Sequence, residues 1–141
     1  MKKVRVRWCL MPFFIFLMIV LLFRFVLFIG FVPSESMEPT LKAGSLLLAS
    51  RCFSDIQVGD IVVFHHHGEL LVKRVAAIGG MTVLLNGEEI IVPPGKLIVL
   101  GDNSENSFDS RYWEDPYIDE CDVIAKAVSY THLTLPTKLE V

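Results

Sequence analysis

Residues Trp8 to Phe23 run for sixteen positions without a charged side chain. This run limits the folds open to the chain more than any other feature. A helix needs roughly 20 predominantly apolar residues to cross the hydrocarbon of a bilayer. Trp8–Phe23 is slightly short of that, but Arg7 and Arg24 bound it. Their apolar stems can lie along the helix while the guanidinium groups reach opposite headgroup regions. Before the run, Lys2, Lys3, Arg5 and Arg7 carry four positive charges with no acid among them. Such a flank stays in the cytoplasm, which places everything after the run on the far side of the membrane. A cleaved leader would share the basic start. It would also need a shorter run and an A-x-A-like site, and Gly30 to Ser36 reads GFVPSES instead. The expected organisation is a basic cytoplasmic N-terminus at 1–7, a transmembrane helix at 8–24 and a β-rich domain at 25–127.

The 52% hydrophobic content of the chain is therefore misleading as an average, because much of the excess sits before Pro33. Beyond Arg7 the side chains sum to a net charge of −7, which excludes an extended nucleic-acid surface. Cys9, Cys52 and Cys121 are too few and too scattered for a disulfide framework or a zinc site. A Cys52–Cys121 bridge is chemically open, but free buried thiols are the expected state.

After Pro33 the sequence breaks into short β-rich runs: 45–48, 61–65, 70–78, 82–85, 90–92, 97–100 and 123–128. Asn86-Gly87 between two apolar runs predicts a two-residue hairpin, since both positions tolerate positive φ. His65-His66-His67-Gly68 predicts a second hairpin tip, and Pro93-Pro94-Gly95 a break. The expected body is mostly β, an antiparallel sheet or partly open barrel.

Four stretches carry the chemistry: Val32 to Leu41 (VPSESMEPTL), Gly59 to Phe64 (GDIVVF), Val72 to Val75 (VKRV) and Gly101 to Trp113 (GDNSENSFDSRYW). In this order, behind an apolar N-terminal run, they resemble type I signal peptidases, from the anchor to about Ala127. The resemblance implies a serine endopeptidase of the plasma (inner) membrane, with its catalytic domain extracytoplasmic and no cofactor. It implies that Ser36 is the nucleophile and Lys73 its general base. It also implies that Ser34, with the Ser36 backbone N–H, stabilises the oxyanion and that Ser107 orients the lysine. Asp102, Asp109, Arg111 and Arg74 correspond to a charged framework around the site. Val32, Met37, Leu41, Leu71 and Val72 correspond to positions that bind small residues before the cleaved bond. The implied partners are the signal peptides of exported preproteins and the lipid bilayer, with the protein export machinery as a further candidate. The apolar stretch Phe25–Phe31 would rest in the bilayer surface.

The chemistry is coherent without the family. A serine hydroxyl is a poor nucleophile until a nearby base takes its proton. Lysine, with an unperturbed pKa near 10.4, is a base at neutral pH only when desolvation favours the neutral amine. On a strand, Lys73 shares its face with Leu71, Val75 and Ala77. The opposite face carries Arg74 among Val72 and Ala76, so alternation alone does not say which face holds a site. Arginine cannot serve as the base, because it stays protonated. That leaves Lys42 and Lys96 open; the resemblance selects Lys73. Departures from the family pattern are Glu35 where glycine is frequent, Ser45 where aspartate is frequent, Glu114 where glycine is frequent, and Ser104 and Glu105. Glu35 matters most, because a carboxylate close to the lysine would raise its pKa.

Simpler readings were weighed. Ser34 and Ser36 can be turn serines after Pro33. Asp102–Arg111 has the spaced oxygens of a calcium loop, but Ser107 and Trp113 stand where an EF-hand needs glycine and glutamate. The three adjacent histidines alternate faces on a strand, so no metal is expected. Val128 to Thr137 resembles the translation of a transposon-end sequencing adapter, and residues 128–141 are read as a suspected non-native tail. Two other classes stay open. One is a related Ser–Lys protease with another task, such as a conjugation-type processing peptidase or a self-cleaving repressor relative. The other is a non-enzymatic anchored β module.

Overall fold

The computed structural model describes residues 2–131. The side chains of the basic flank and residues 132–141, most of the suspected tail, lie outside the described residues. Helix α1 spans Lys2–Phe25. Its side chains from Leu10 to Phe25 are exposed along their length. Among the described residues, no helix is long and apolar enough to cross a membrane.

Among the described residues nine strands follow: β1 Leu27–Phe31, β2 Leu46–Ser50, β3 Ile61–His66, β4 Glu69–Ile78, β5 Thr82–Leu85, β6 Glu88–Ile91, β7 Lys96–Leu100, β8 Ile118–Asp119 and β9 Val123–Thr131. Seven form one sheet in the order β1-β2-β9-β3-β4-β7-β8, and β5 and β6 form a separate ribbon. Every pairing is antiparallel. The expected antiparallel β body is what the chain forms. The sheet is open rather than a closed barrel: β1 and β8 are its edges.

Turn chemistry sets the hairpins. Asn86 (φ 52°) and Gly87 (φ 89°) link β5 to β6, and His67 (φ 49°) and Gly68 (φ 84°) link β3 to β4. Both are left-handed pairs of the kind that matches strand twist in two-residue loops. Most of the Phe25–Phe31 stretch is strand: Leu27–Phe31 pairs with Ser50–Leu46. Strand β9 continues past Ala127 to Thr131 and pairs with β2 over this stretch.

The sheet is buried on both faces at its centre, where Ile61, Val62, Val63 and Phe64 are all buried. One core cluster gathers Val32, Met37, Leu41, Leu47, Ala49, Ile61, Val63 and Ala125. A second gathers Val62, Phe64, Val75, Leu97, Val99, Ile118 and Val123, and a third Ala77, Val92 and Ile98. The loops that carry the candidate site are fixed to this two-sided core. Cys52 and Cys121 are free, as expected, but exposed rather than buried.

Candidate active site

Ser36 lies in a single 3₁₀ turn, Glu35–Met37. The turn cannot extend, because Pro39 has no N–H and holds Glu38 in an extended conformation (ψ 147°). Met37 is fully buried and anchors the turn in the core. Its other side is fastened to the 101–113 loop: the Asn103 N–H donates to the Ser36 carbonyl at 3.0 Å, and Asn103 Nδ2 donates to the Glu35 carbonyl at 3.1 Å.

Lys73 is on β4 opposite Val62. Burial alternates along this strand through Lys73, Val75 and Ala77, which answers the question the sequence left open. The lysine is 4% exposed, whereas Arg74, on the other face, is partly exposed.

The Lys73 amine donates to Ser107 Oγ at 3.0 Å. The Ser107 hydroxyl in turn donates to Asp109 Oδ2 at 2.8 Å. Asp109 is fully buried. Its carboxylate also accepts from the Gly101 N–H at 2.8 Å and from Arg111 Nε at 2.8 Å and Nη2 at 2.6 Å. Burial alone would push this carboxyl up. The Arg111 guanidinium, the Gly101 N–H and the Ser107 hydroxyl outweigh it and hold the pKa below the usual carboxylate range.

Burial lowers the pKa of Lys73. The Asp109 charge opposes that shift, and the Arg111 charge reinforces it. Glu35 does not act as the sequence suggested. Its carboxylate accepts from Asn106 Nδ2 at 3.2 Å, and the charges acting on Lys73 are those of Asp109 and Arg111.

Arg74 forms a two-pronged pair with Asp102, Nε to Oδ1 at 2.8 Å and Nη2 to Oδ2 at 2.7 Å. It also donates to the Gly59 carbonyl at 2.7 Å. The hydrogen bond from Arg74 holds the Asp102 pKa down. This pair ties β4 to the start of the 101–113 loop, on the face of β4 away from Lys73.

Two adjoining cavities share Ser34, Ser36, Leu71 and Lys73 as lining. The smaller, about 140 Å³, is otherwise walled by apolar groups that include Phe28, Val32, Met37, Val63 and Val72. The larger, about 890 Å³, opens toward the β3–β4 tip and residues 105–114. Leu41 is fully buried in the core cluster it shares with Val32 and Met37. Ser34 Oγ lies 3.2 Å from Ser36 Oγ. Among the described residues, the Ser36 hydroxyl is thus paired with Ser34 and the lysine amine with Ser107, and the two are not joined directly.

Gly101 was quoted in a motif but given no role. A Cβ there would overlap Ser107 Oγ and lie 2.6 Å from the Ser36 carbonyl oxygen. The serine-bearing turn and the lysine's hydrogen-bond partner close on each other across this glycine. A glycine opening a polar loop directly after a strand is the signal in the sequence that could have found it.

The fold and this cluster describe an antiparallel β domain that buries a lysine amine among serine hydroxyls. The sequence matches the family model described as signal peptidase, peptidase S26, over residues 5–92 and 85–131, and the chain belongs to that family. It is 35% identical over 119 residues to a probable signal peptidase I-1 of Synechocystis sp., covering 59% of this chain and 61% of that protein. It is 30% identical over 134 residues to a signal peptidase I of Leptolyngbya laminosa, covering 70% and 65%. Mitochondrial inner membrane protease subunit 1 of Mus musculus is 36% identical over 90 residues, covering 55% and 54%. The chain thus spans less than two thirds of the length of each of these relatives.

Proposed function

We propose that this chain is a membrane-anchored serine endopeptidase that removes signal peptides from exported preproteins after small residues, using Ser36 and Lys73. The observation that carries the reading is the polarity of the hydrogen-bond chain behind the lysine. Asp109 is held ionised, so the Ser107 hydroxyl donates its hydrogen bond to that carboxylate, and the Ser107 oxygen can only accept from Lys73. A neutral amine has one lone pair. With an N–H committed to Ser107, that lone pair is left for a proton from Ser36.

The mechanism follows. The Ser36 hydroxyl turns from Ser34 toward the amine. Hydrogen bonds of this kind commonly tighten only when substrate is bound. Ser36 Oγ attacks the scissile carbonyl as Lys73 takes its proton. The Ser34 hydroxyl and the Ser36 N–H accommodate the charge that develops on the carbonyl oxygen. Lys73 then protonates the leaving amine, and later takes a proton from the water that releases the acyl group. The small apolar cavity, walled by Val32, Met37, Leu71 and Val72, suits side chains of a few atoms.

Membrane attachment is supported by surface chemistry. Met11, Phe14, Phe16 and Met18 are each more than 60% exposed, and helix α1 has 24 residues, about 36 Å at 1.5 Å per residue. Lipid would cover such a surface. Exposed Phe25, Ile29 and Phe31 continue it onto β1, beside the small cavity.

The test uses the full chain in lipid vesicles with an exported preprotein. Wild type should release the mature protein. Ser36→Ala and Lys73→Met should each lose at least about four orders of magnitude in turnover. Retained turnover in either variant would refute the assignment.

A further inference from the structure

The two cavities meet at Ser36, so a chain bound across that residue enters through one and leaves through the other. The smaller cavity is walled by Phe28, Gly30 and Phe31 of β1, the strand that directly follows α1. It faces the anchored end of the molecule and suits the small residues before the bond. The larger cavity lies on the other side of Ser36. Its walls differ in kind: Glu69, Glu105 and Glu114 line it together with the aromatic rings of Phe108, Tyr112 and Trp113.

We infer that the larger cavity is the binding site for the segment that follows the cleaved bond, and that it selects a basic side chain there. This rests on the proposed function. Three observations carry it. The cavity shares Ser34, Ser36, Leu71 and Lys73 with the apolar one, so it is continuous with the reacting centre. Phe108 and Tyr112 stack on each other with centroids 6.2 Å apart and planes 12° from parallel, yet they are 68% and 59% exposed. Such rings attract cations at their faces, and the Arg111 guanidinium already lies 5.8 Å from the Tyr112 centroid. Three carboxylates line the wall, facing Lys73, turned to Ser107, and the hairpin-tip residues His66 and His67. Among the described residues, none of the three carboxylates forms a salt bridge within the chain. A lysine or arginine a few residues beyond the bond would place its stem on the rings and its charge among the carboxylates.

The experiment uses the full chain in vesicles and three preproteins that differ only at the second residue after the bond, which is lysine, alanine or glutamate. The lysine substrate should be cut at least fivefold more efficiently, in kcat/KM, than the glutamate one, with alanine between. Raising the salt should narrow the ratio, because a Debye length of about 8 Å at physiological ionic strength shortens to about 3 Å at 1 M. In the triple variant Glu69→Gln, Glu105→Gln, Glu114→Gln, with each rate normalised to that variant's own rate on the alanine substrate, the lysine-to-glutamate ratio should fall to within twofold of one. Equal cleavage of all three by wild type, or an unchanged ratio in the triple variant, overturns the subsite and leaves the proposed function standing. Absence of Ser36-dependent cleavage of any of the three overturns the proposed function and this inference with it.

Discussion

Replacing Lys73 with methionine should abolish activity and yet make the folded protein more stable at neutral pH. The amine is 4% exposed and has one hydrogen-bond acceptor, Ser107 Oγ, at 3.0 Å. Each unit by which burial lowers a lysine pKa costs the native state about 1.4 kcal/mol when the solution is well below both pKa values. Against that, the hydrogen bond to Ser107 returns about 1 kcal/mol. Methionine fills nearly the same volume without a group that must be desolvated. The desolvation cost exceeds the return from the hydrogen bond, so a gain of about 1 kcal/mol is expected.

The sign follows from proton counting. The folded pKa lies below that of the unfolded chain, so between the two values the unfolded state binds more protons and wild-type stability rises with pH. The advantage of Lys73→Met should therefore be fully present below the folded pKa. It should shrink as pH rises through that value toward the unfolded one. The assay is urea unfolding of both proteins in detergent at pH 7 and at pH 10, with the slopes checked for equality. A variant less stable than wild type at pH 7, or an advantage that grows with pH, would refute the argument that this amine is held neutral at the fold's expense.

Other consequences are equally concrete. Ser107→Ala removes the acceptor that orients the lysine, and kcat should fall about a hundredfold with KM little changed; a loss under threefold would contradict the orienting role. Gly101→Ala puts a methyl group against Ser107 and 2.6 Å from the Ser36 carbonyl oxygen, so kcat should fall at least tenfold, and wild-type kinetics would show that the two loops are less tightly opposed. Arg74→Met leaves Asp102 without its two-pronged partner. Because the arginine side chain is 34% exposed, thermal unfolding should show a loss of about 1–3 kcal/mol, below the range for a fully buried pair. Arg74→Lys should recover only part of it, since an ammonium cannot reproduce the fork.

What the sequence disclosed depended on how local the cause was. The hairpins at His67-Gly68 and Asn86-Gly87 were legible because the turn residues carry their own backbone preference. The edge strand Leu27–Phe31 was not. A short apolar run has no distinguishing period, and its partner Leu46–Ser50 lies across a loop. The same holds for β8, two residues long. In the site, Ser36, Lys73 and Ser107 were legible from motif order, and burial then separated Lys73 from Arg74. The fully buried Asp109 and the half-buried Asp102 looked alike in sequence, because what covers each comes from distant parts of the chain. Glu35 stood next to the nucleophile in sequence and was expected to act on the lysine. The contact with Asn106, many residues away, directs it elsewhere.

The most direct measurement is the rate at which an acylating probe labels Ser36, followed as a function of pH in the full chain. The account predicts that labelling rises along a single ionisation below the ordinary lysine pKa of 10.5 and vanishes in both Ser36→Ala and Lys73→Met. A rise only near the ordinary lysine value, or labelling that persists in Lys73→Met, would contradict it.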